Sequence, residues 1–386
     1  MAFSFLRRTL VHSHGRYTAS ASLNHRFQDF FNPIFVKYTS TNSNEQSFTV
    51  SYLINSCGLS PESALKTSKK LQLETPEKAD LVLTLFKNSG FSETQISDLI
   101  RRRASLLLSN PERSLLPKLE FFHSKGFSSI DIATVLSRCP TILQSSLNNR
   151  IIPSFTYLSN LIQSAEKVIS LIKRVPFIVC RDLQIFVAPK FKVLRDIGVP
   201  ETQIATLLYR WPNVLIRYSR RFDETVDLLK KMGMDPLRSQ FVRAIVIMSL
   251  MSKSEWDKKV DVYKRLHWSE EEILAAFQKH PWCMMTSEDK IMAVMDIFVN
   301  KMGWEPSAIA QRPILVSLSL EKRIIPRASV LQYLLTKGLP KNKLLSATPF
   351  KLCEKTFLQK FVNCYDEAPR LMQLYNEKLD LSKKRN

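Results

Sequence analysis

A column of basic side chains recurs along the chain, two residues before a proline or the residue that replaces it. The column holds Arg102, Arg138, Arg174, Arg210 and Lys279. Lys and Arg make up 56 of the 386 residues, so five basic residues in eight equivalent places are more than the overall frequency would put there. A row of exposed cations could neutralise successive phosphates of a nucleic acid. A competing explanation is structural, because the helix dipole stabilises a cation in the last turn of a helix.

A second, looser set of basic residues follows each proline, or its replacement, by eight to ten positions. Its candidate phosphate contacts are Arg113, Arg150, Arg221, Lys290 and Arg323. These residues fall near the start of a repeat, where a cation gains nothing from the helix dipole. A phosphate-binding role therefore competes here with an ordinary solvated helix face. Contacts of this kind would give affinity without sequence preference.

Recognition of particular bases would need side chains that reach base edges or stack on bases. The aromatic candidates for stacking are Tyr209, Trp211, Tyr218, Trp282 and Trp304. Aromatic residues at helical spacing belong more often to the core, so these five have two interpretations from sequence.

The residue types that catalysis needs do not cluster. No Gly-rich phosphate loop and no nucleophile elbow is present. His123, His267 and His280 fall in different repeats and lack metal-ligand spacing. The six cysteines are scattered without a CxxC pair, which predicts reduced thiols buried as small hydrophobic side chains. We therefore expect neither an enzyme nor a bound cofactor or metal.

Scarce glycines locate the helices that must carry the cations. Gly90, Gly126, Gly198, Gly233, Gly303 and Gly338 are 36, 72, 35, 70 and 35 residues apart, and Ile162 and His267 stand in the double gaps. Glycine accepts the left-handed conformation that ends a helix, and a following Ser, Asp or Pro can start the next one. Ser92 with Gln95, and Ser269 with Glu272, have capping-box spacing. Each glycine therefore predicts a helix–turn–helix elbow.

Prolines form a parallel column that ends the second helix of each repeat. The column is Pro140, Pro176, Pro212, Pro281, Pro313 and Pro349. Proline cannot continue a helix, and the apolar pair beyond it suits one short helical turn. Apolar residues lie eight, five and four places before the proline, as in Ile204, Leu207 and Leu208, and form one helical face.

No single repeat could bury such a face alone, whereas stacked neighbours can. The sequence therefore predicts an all-α solenoid of about eight repeats over residues 48–365, each with two helices and a short proline-started turn. Residues 366–386 are charged and lack the pattern, which predicts a tail that is either a frayed cap or a disordered end.

The N-terminal segment has the composition of an organelle transit peptide. Residues 1–44 contain five basic residues, one acid and frequent hydroxyl side chains, without a continuous apolar core. Richness in Arg favours the mitochondrion, with the chloroplast as the alternative. The chain carries a net charge of +21, of which about +17 remains without this segment, and this favours a polyanionic partner. The sequence contains no stretch of 18 apolar residues, so it predicts no membrane span.

The repeat of helix, glycine elbow, helix, proline and short turn resembles the mitochondrial transcription termination factor family, mTERF, over roughly residues 48–350. The segments Leu115-Leu116-Pro117-Lys118-Leu119 and Arg323-Ile324-Ile325-Pro326-Arg327 are similar to those of its plant members. The resemblance implies a right-handed, half-ring helical solenoid. It also implies binding of double-stranded DNA or RNA along a basic concave groove.

The resemblance further implies a role in organellar transcription termination or regulation, splicing or ribosome assembly, with components of those machineries as further partners. We expect a monomer without a membrane partner. The alternative is a protein-binding scaffold, for example in organellar ribosome assembly, because many α-solenoids bind proteins. The two hypotheses differ in a visible way: a scaffold predicts cations dispersed over both faces, whereas a nucleic-acid-binding protein predicts one continuous row.

Overall fold

The computed structural model describes residues 43–216, 221–338 and 346–383, and all regular elements in these ranges are helices. The described residues form two compact units. One contains 43–196 and 201–216, and the other contains 197–200, 221–338 and 346–383. The predicted transit peptide lies outside the described residues except for its last two positions. None of the described helices combines the length and apolar character that crossing a membrane requires.

The N-terminal unit is built from repeats of a first helix, a second helix and a short third helix. The first helices are Ser43–Asn55, Glu77–Asn88, Leu116–Ser124, Ile152–Ile162 and Ala188–Asp196. The second helices are Pro61–Ser68, Glu93–Arg102, Ser129–Arg138, Ala165–Arg174 and Glu201–Arg210. The third helices are Ala104–Leu108, Thr141–Gln144, Pro176–Cys180 and Pro212–Ile216. Short helical turns at Pro111–Leu115, Leu147–Ile151 and Leu183–Phe186 lead into the next first helix.

The C-terminal unit continues the same order. Its first helices are Arg221–Lys231, Lys253–Arg265, Glu288–Met295 and Ile325–Thr336, with wide turns at Asp296–Lys301 and Leu320–Ile324. Its second helices are Ser239–Leu250, Glu270–Lys279 and Pro306–Ala310. Its third helices are Pro281–Met285, Pro313–Ser317 and Thr348–Lys351. The helices Glu354–Phe361 and Ala368–Lys383 follow.

The prediction of an all-α helical repeat is confirmed, and its details follow the sequence columns. Ile204, Leu207 and Leu208 are fully buried, as expected of the apolar stripe. Burying such a side chain contributes about 1.5–3 kcal/mol. The second helix of the proline-less repeat runs on to Leu250, and the next helix begins at Lys253 without an intervening third helix. A proline at this position favours separate second and third helices, although the repeat with Ala104 in its place also has both.

The elbows have the predicted backbone, with one shift in position. Gly126 has φ +92°, and His267, which replaces a glycine, has φ 63°. The prediction that Ile162 fills the other gap is wrong by one residue, because Gln163 has φ 53° and ends the helix while Ile162 is still helical and buried. Ile162 is needed in the core, so the left-handed residue is the next one.

Replacing Gln163 by glycine is expected to stabilise the fold by about 1 kcal/mol, because a left-handed backbone costs an L-residue about 1–2 kcal/mol that glycine does not incur. Urea denaturation followed by circular dichroism measures the difference. Glycine at Asn160, which lies inside the helix, should instead destabilise by about 0.3 kcal/mol, because glycine has an even lower helix propensity than asparagine. Equal effects at both positions would contradict the conformational explanation.

The charged C-terminal segment differs from the expected frayed or disordered end. Ala368–Lys383 is a helix that packs on Ile325–Thr336. Leu371 is 0% and Tyr375 2% exposed, and the Tyr375 ring stacks on Phe357 at 5.8 Å between centroids. Two large buried side chains four residues apart therefore anchor this helix, in which five of the 16 residues are charged.

The cysteines fit the prediction of reduced, buried thiols only in part. All six are free, with Cys57 and Cys283 buried and Cys139 and Cys180 half-buried. Cys353 and Cys364 are exposed, which the prediction did not anticipate. Burial raises the pKa of the Cys283 thiol to about 12, so this thiol is held in its neutral form.

A histidine joins two repeats of the C-terminal unit. The His280 ring nitrogen Nε2 lies 2.8 Å from the Ser317 hydroxyl. Burial, and secondarily the charge of Arg243, lowers the pKa of His280 from its usual 6.5. His280 of the unfolded chain therefore binds a proton near pH 6.5, whereas His280 of the folded chain binds it only at lower pH.

Stability should accordingly fall as the pH drops through 6.5 and below, and His280→Gln should flatten this part of the profile. Urea midpoints at pH 8, 7, 6 and 5.5 measure it. His123→Gln, at an exposed position, is the matched control for the loss of a histidine. An equal pH slope in wild type and His280→Gln would contradict the assignment.

Candidate nucleic-acid interface

The predicted column of cations occupies the last position of successive second helices. Arg102, Arg138, Arg174, Arg210 and Lys279 each end one of these helices, and all five are exposed. Exposure was expected, because the column lies at the edge of the apolar stripe. Except after Arg102, which Ala104 follows, a proline two residues later limits how far the helix can run and so fixes the place of the cation.

Three arginines of the N-terminal unit reach from one repeat to the next. Arg102 Nη1 donates to the carbonyl of Arg138 at 3.1 Å, and Arg138 Nη1 donates to the carbonyl of Lys173 at 3.1 Å. Arg174 Nη2 donates to the carbonyl of Tyr209. We call Arg102, Arg138 and Arg174 the arginine ladder. Each rung supplies a donor to the C-terminal end of the neighbouring second helix, where carbonyls lack helical partners.

The ladder is a continuous row, because each arginine touches the helix end where the next rung, or Arg210, begins. A guanidinium has five N–H donors, and one carbonyl leaves several of them available to another acceptor. The rungs are therefore held at the spacing of the repeats with their charge still exposed. The same contacts explain part of the column as structure, since they link repeats and cap helix ends.

The second set of predicted cations is less uniform. Arg113 and Arg221 are exposed, and Arg323 is half-buried. Arg150 is half-buried and forms an ion pair with Asp182 at 2.7 Å. Lys290 is half-buried and donates to the carbonyl of Ser317 at 3.3 Å. Arg150 and Lys290 thus have partners inside the protein, so the exposed Arg113 is better placed than either of them to meet a phosphate.

Sequence reasoning did not identify a third column, which lies on the first helices. We call Lys118, Lys190, Lys259, Lys290 and Arg327 the inner cation column. Each donates to carbonyls at the end of the next third helix: Lys118 to Leu143, Lys190 to Leu215, Lys259 to Thr286, Lys290 to Ser317, and Arg327 to Pro349, Phe350 and Leu352. Ser154 serves the same purpose by donating to Arg181 at 2.8 Å.

These inner contacts satisfy carbonyls that a short helix leaves without partners. Lys118 is 5% and Arg327 1% exposed, and burial lowers the pKa of both. A signal was present in the sequence, since Lys118, Ser154, Lys190 and Arg327 each directly follow a proline. Part of the net positive charge is therefore structural and unavailable to a polyanion.

The aromatic candidates divide once they are placed in the structure. Trp304 is 7% exposed and packs against Phe298 and Phe350, so it belongs to the core. Tyr209 is half-buried, with the Arg174 guanidinium 5.1 Å from its ring centre. Trp211 and Trp282 are half-buried, and Tyr218 lies outside the described residues.

The chain was compared with known proteins. Two overlapping stretches, residues 83–292 and 182–368, match the family model described as mTERF. No curated protein sequence matched. In the described part of the chain, no group of three or more His, Cys, Asp or Glu side chains is arranged to hold a metal ion. The matched stretches cover well over half of the chain and contain most of the repeats, the arginine ladder and the whole inner cation column, and the chain therefore belongs to the mTERF family.

Proposed function

We propose that this protein binds nucleic acid in an organelle and regulates gene expression there, with the arginine ladder as part of the binding surface. The observation that carries the proposal is that exposed arginines of successive repeats form one uninterrupted row. A continuous row suits a polymer of regularly spaced phosphates. The scaffold alternative predicted cations dispersed over both faces, so the row favours nucleic acid.

Membership of the mTERF family supports the proposal, because the family consists in general of nucleic-acid-binding regulators of organellar genes. The net charge of +21 agrees with it. The proposed partner is double-stranded DNA or RNA, and the proposed process is transcription regulation, including termination, or RNA processing. The proposed location is the mitochondrion, on the composition of residues 1–44.

Salt dependence is the sharpest test of this proposal. On duplex DNA, about six phosphate contacts should make log K fall with log salt at a slope of about −5, since each contact releases ~0.9 counterion. Fluorescence anisotropy with the full chain, labelled duplex DNA and labelled RNA between about 50 and 300 mM salt measures the slope. A slope near zero on both polymers would contradict the proposal and favour the scaffold.

Crosslinking and immunoprecipitation of the tagged protein from isolated organelles identifies the polymer. DNA and RNA recovered in parallel should be enriched at discrete sites, and the position of those sites relative to promoters, introns or ribosomal RNA distinguishes the processes. A charge-matched basic protein from the same organelle is the control. Recovery equal to that control would count against a specific role in gene expression.

A further inference from the structure

A concave site in the N-terminal unit collects basic side chains that the ladder does not explain. A cavity of about 330 Å³ lies between the helices Pro61–Ser68 and Glu93–Arg102 and the start of Ala104–Leu108. Five cations line it: Lys66, Lys70, Arg101, Arg102 and Arg103. We call it the basic pocket. The hydroxyl residues Ser63, Thr67 and Ser105 complete its polar lining, and no carboxylate residue is part of it.

Helix ends account for only some of these charges. Lys66 lies in the last turn of one helix, and Arg101 and Arg102 lie in the last turn of the other, where the dipole favours a cation. Arg101 is also paired with Asp98 at 2.6 Å. Arg103 is the C-terminal capping residue of Glu93–Arg102, and its Nη1 donates to the carbonyl of Arg102 at 3.4 Å, whereas Lys70 lies two residues beyond Pro61–Ser68. Helix ends thus favour four of the five cations, but they do not explain why cations from two helices converge on one cavity without a carboxylate in its lining.

Like charges that converge on a cavity repel one another unless an anion joins them. A phosphate group suits the lining, because Arg and Lys donate charge-assisted hydrogen bonds to its oxygens and hydroxyls can add to them. The cavity volume is at the lower end of the range typical of ligand sites, about 300–1,000 Å³, which leaves room for a phosphate and part of its sugar.

The pocket is also connected to the ladder. Arg102 lines the pocket, and its Nη1 donates to the carbonyl of Arg138, the next rung. Arg102 is the first rung of the ladder. A nucleic-acid strand whose phosphates follow the ladder would therefore reach the pocket at this end of the row. We infer that the basic pocket binds a phosphate group of the nucleic acid, and this inference rests on the proposed function. The phosphate is either an internal diester or a strand-terminal monoester.

The test uses the full chain with Lys66, Lys70 and Arg103 all replaced by Ser. Its charge-matched control replaces Lys78, Lys87 and Lys192 by Gln, three exposed lysines on first helices of the same unit. The pocket variant should bind duplex at least about tenfold more weakly than the control and have a salt slope shallower by about 1. Equal affinity and slope in the two variants would overturn the inference.

Two further measurements are needed. The first distinguishes a terminal phosphate from a backbone phosphate, and the second tests the pocket independently of the proposed function. Duplexes with a 5′-phosphate or a 5′-hydroxyl are compared, and a preference for the phosphate that the pocket variant loses assigns a terminal monoester. Equal binding of both by the wild type, with weaker binding of both by the pocket variant, assigns a backbone diester.

Inorganic phosphate is added at constant ionic strength in a thermal unfolding assay. It should raise the unfolding temperature of the wild type and the control but not of the pocket variant. If the wild type bound no nucleic acid, the proposed function would fail, and the phosphate titration would still decide the pocket. Stabilisation lost in the pocket variant would support the pocket, and its absence in the wild type would overturn it.

Discussion

Replacing Arg327 by Leu is expected to lower the free energy of unfolding of the C-terminal unit by about 3 kcal/mol or more. Arg327 Nη1 donates to the carbonyls of Pro349 at 2.7 Å, Phe350 at 3.1 Å and Leu352 at 2.8 Å, and its guanidinium lies 4.7 Å from the centre of the Phe357 ring. Removing the donor leaves buried carbonyls unsatisfied, at about 1–3 kcal/mol each. For a unit of this size, the unfolding temperature should fall by about 6–12 °C.

Hydrogen exchange is the better readout, because long repeat arrays do not always unfold in two states. In Arg327→Leu, the backbone amides of Thr348–Lys351 and Glu354–Phe361 should show the largest loss of protection from hydrogen exchange. Lys322→Leu, at an exposed position in the turn before the same helix, is the control and should change stability by no more than about 0.5 kcal/mol. Equal behaviour of the two variants would show that the inner contacts contribute little.

Replacing Arg102, Arg138 and Arg174 together by Gln should weaken duplex binding by about 100-fold or more and make the salt slope shallower by about 2.7, since each lost phosphate contact removes ~0.9. The three side chains are exposed, and each holds only one backbone carbonyl. The loss of stability should be modest, about 0.5–1.5 kcal/mol per rung at most. Anisotropy titrations measure the first effect and urea denaturation the second.

Two comparisons separate a phosphate contact from a loss of charge or of structure. Gln at Lys78, Lys87 and Lys192 removes the same charge elsewhere in the unit and should weaken binding by only a few-fold. Lys at the three ladder positions keeps the charge but loses the planar fork, so affinity should return in part while the repeat-to-repeat contacts do not. If Gln at the ladder and Gln at the control positions had equal effects, the ladder would be a structural device only.

Helix positions could be predicted well because they depend on local chemistry. The conformational freedom of glycine, the missing N–H of proline and the capping box at Ser92 act within a few residues, so their positions in the sequence predict where helices end. The stripe Ile204, Leu207 and Leu208 needs only helical periodicity. The left-handed residue lies at Gln163 and not at Ile162, an error of one residue. It arose because the Ile162 side chain is packed in the core.

The roles of the cations could not be predicted in the same way, because the sequence position of a basic residue does not show whether its side chain is solvated, paired or buried. Lys290 was expected at a phosphate and donates to a carbonyl of its own chain, whereas Lys118 and Arg327 were noted only within segments similar to those of plant mTERF members. Each of these partners lies 22 to 27 residues away, at the third helix of the same repeat. Their identity depends on how the first and third helices pack.

The sequence by itself thus determined the repeat, the ends of most helices, the buried stripe and the exposed edge that carries Arg102, Arg138 and Arg174. Tertiary structure alone decided which cations bridge repeats and that the ladder is continuous. It also decided that Lys66, Lys70 and Arg103 share one cavity. The physical reason is range: capping and periodicity act within one or two helical turns, whereas charge pairing and carbonyl satisfaction depend on helices that only the packing within and between repeats brings together.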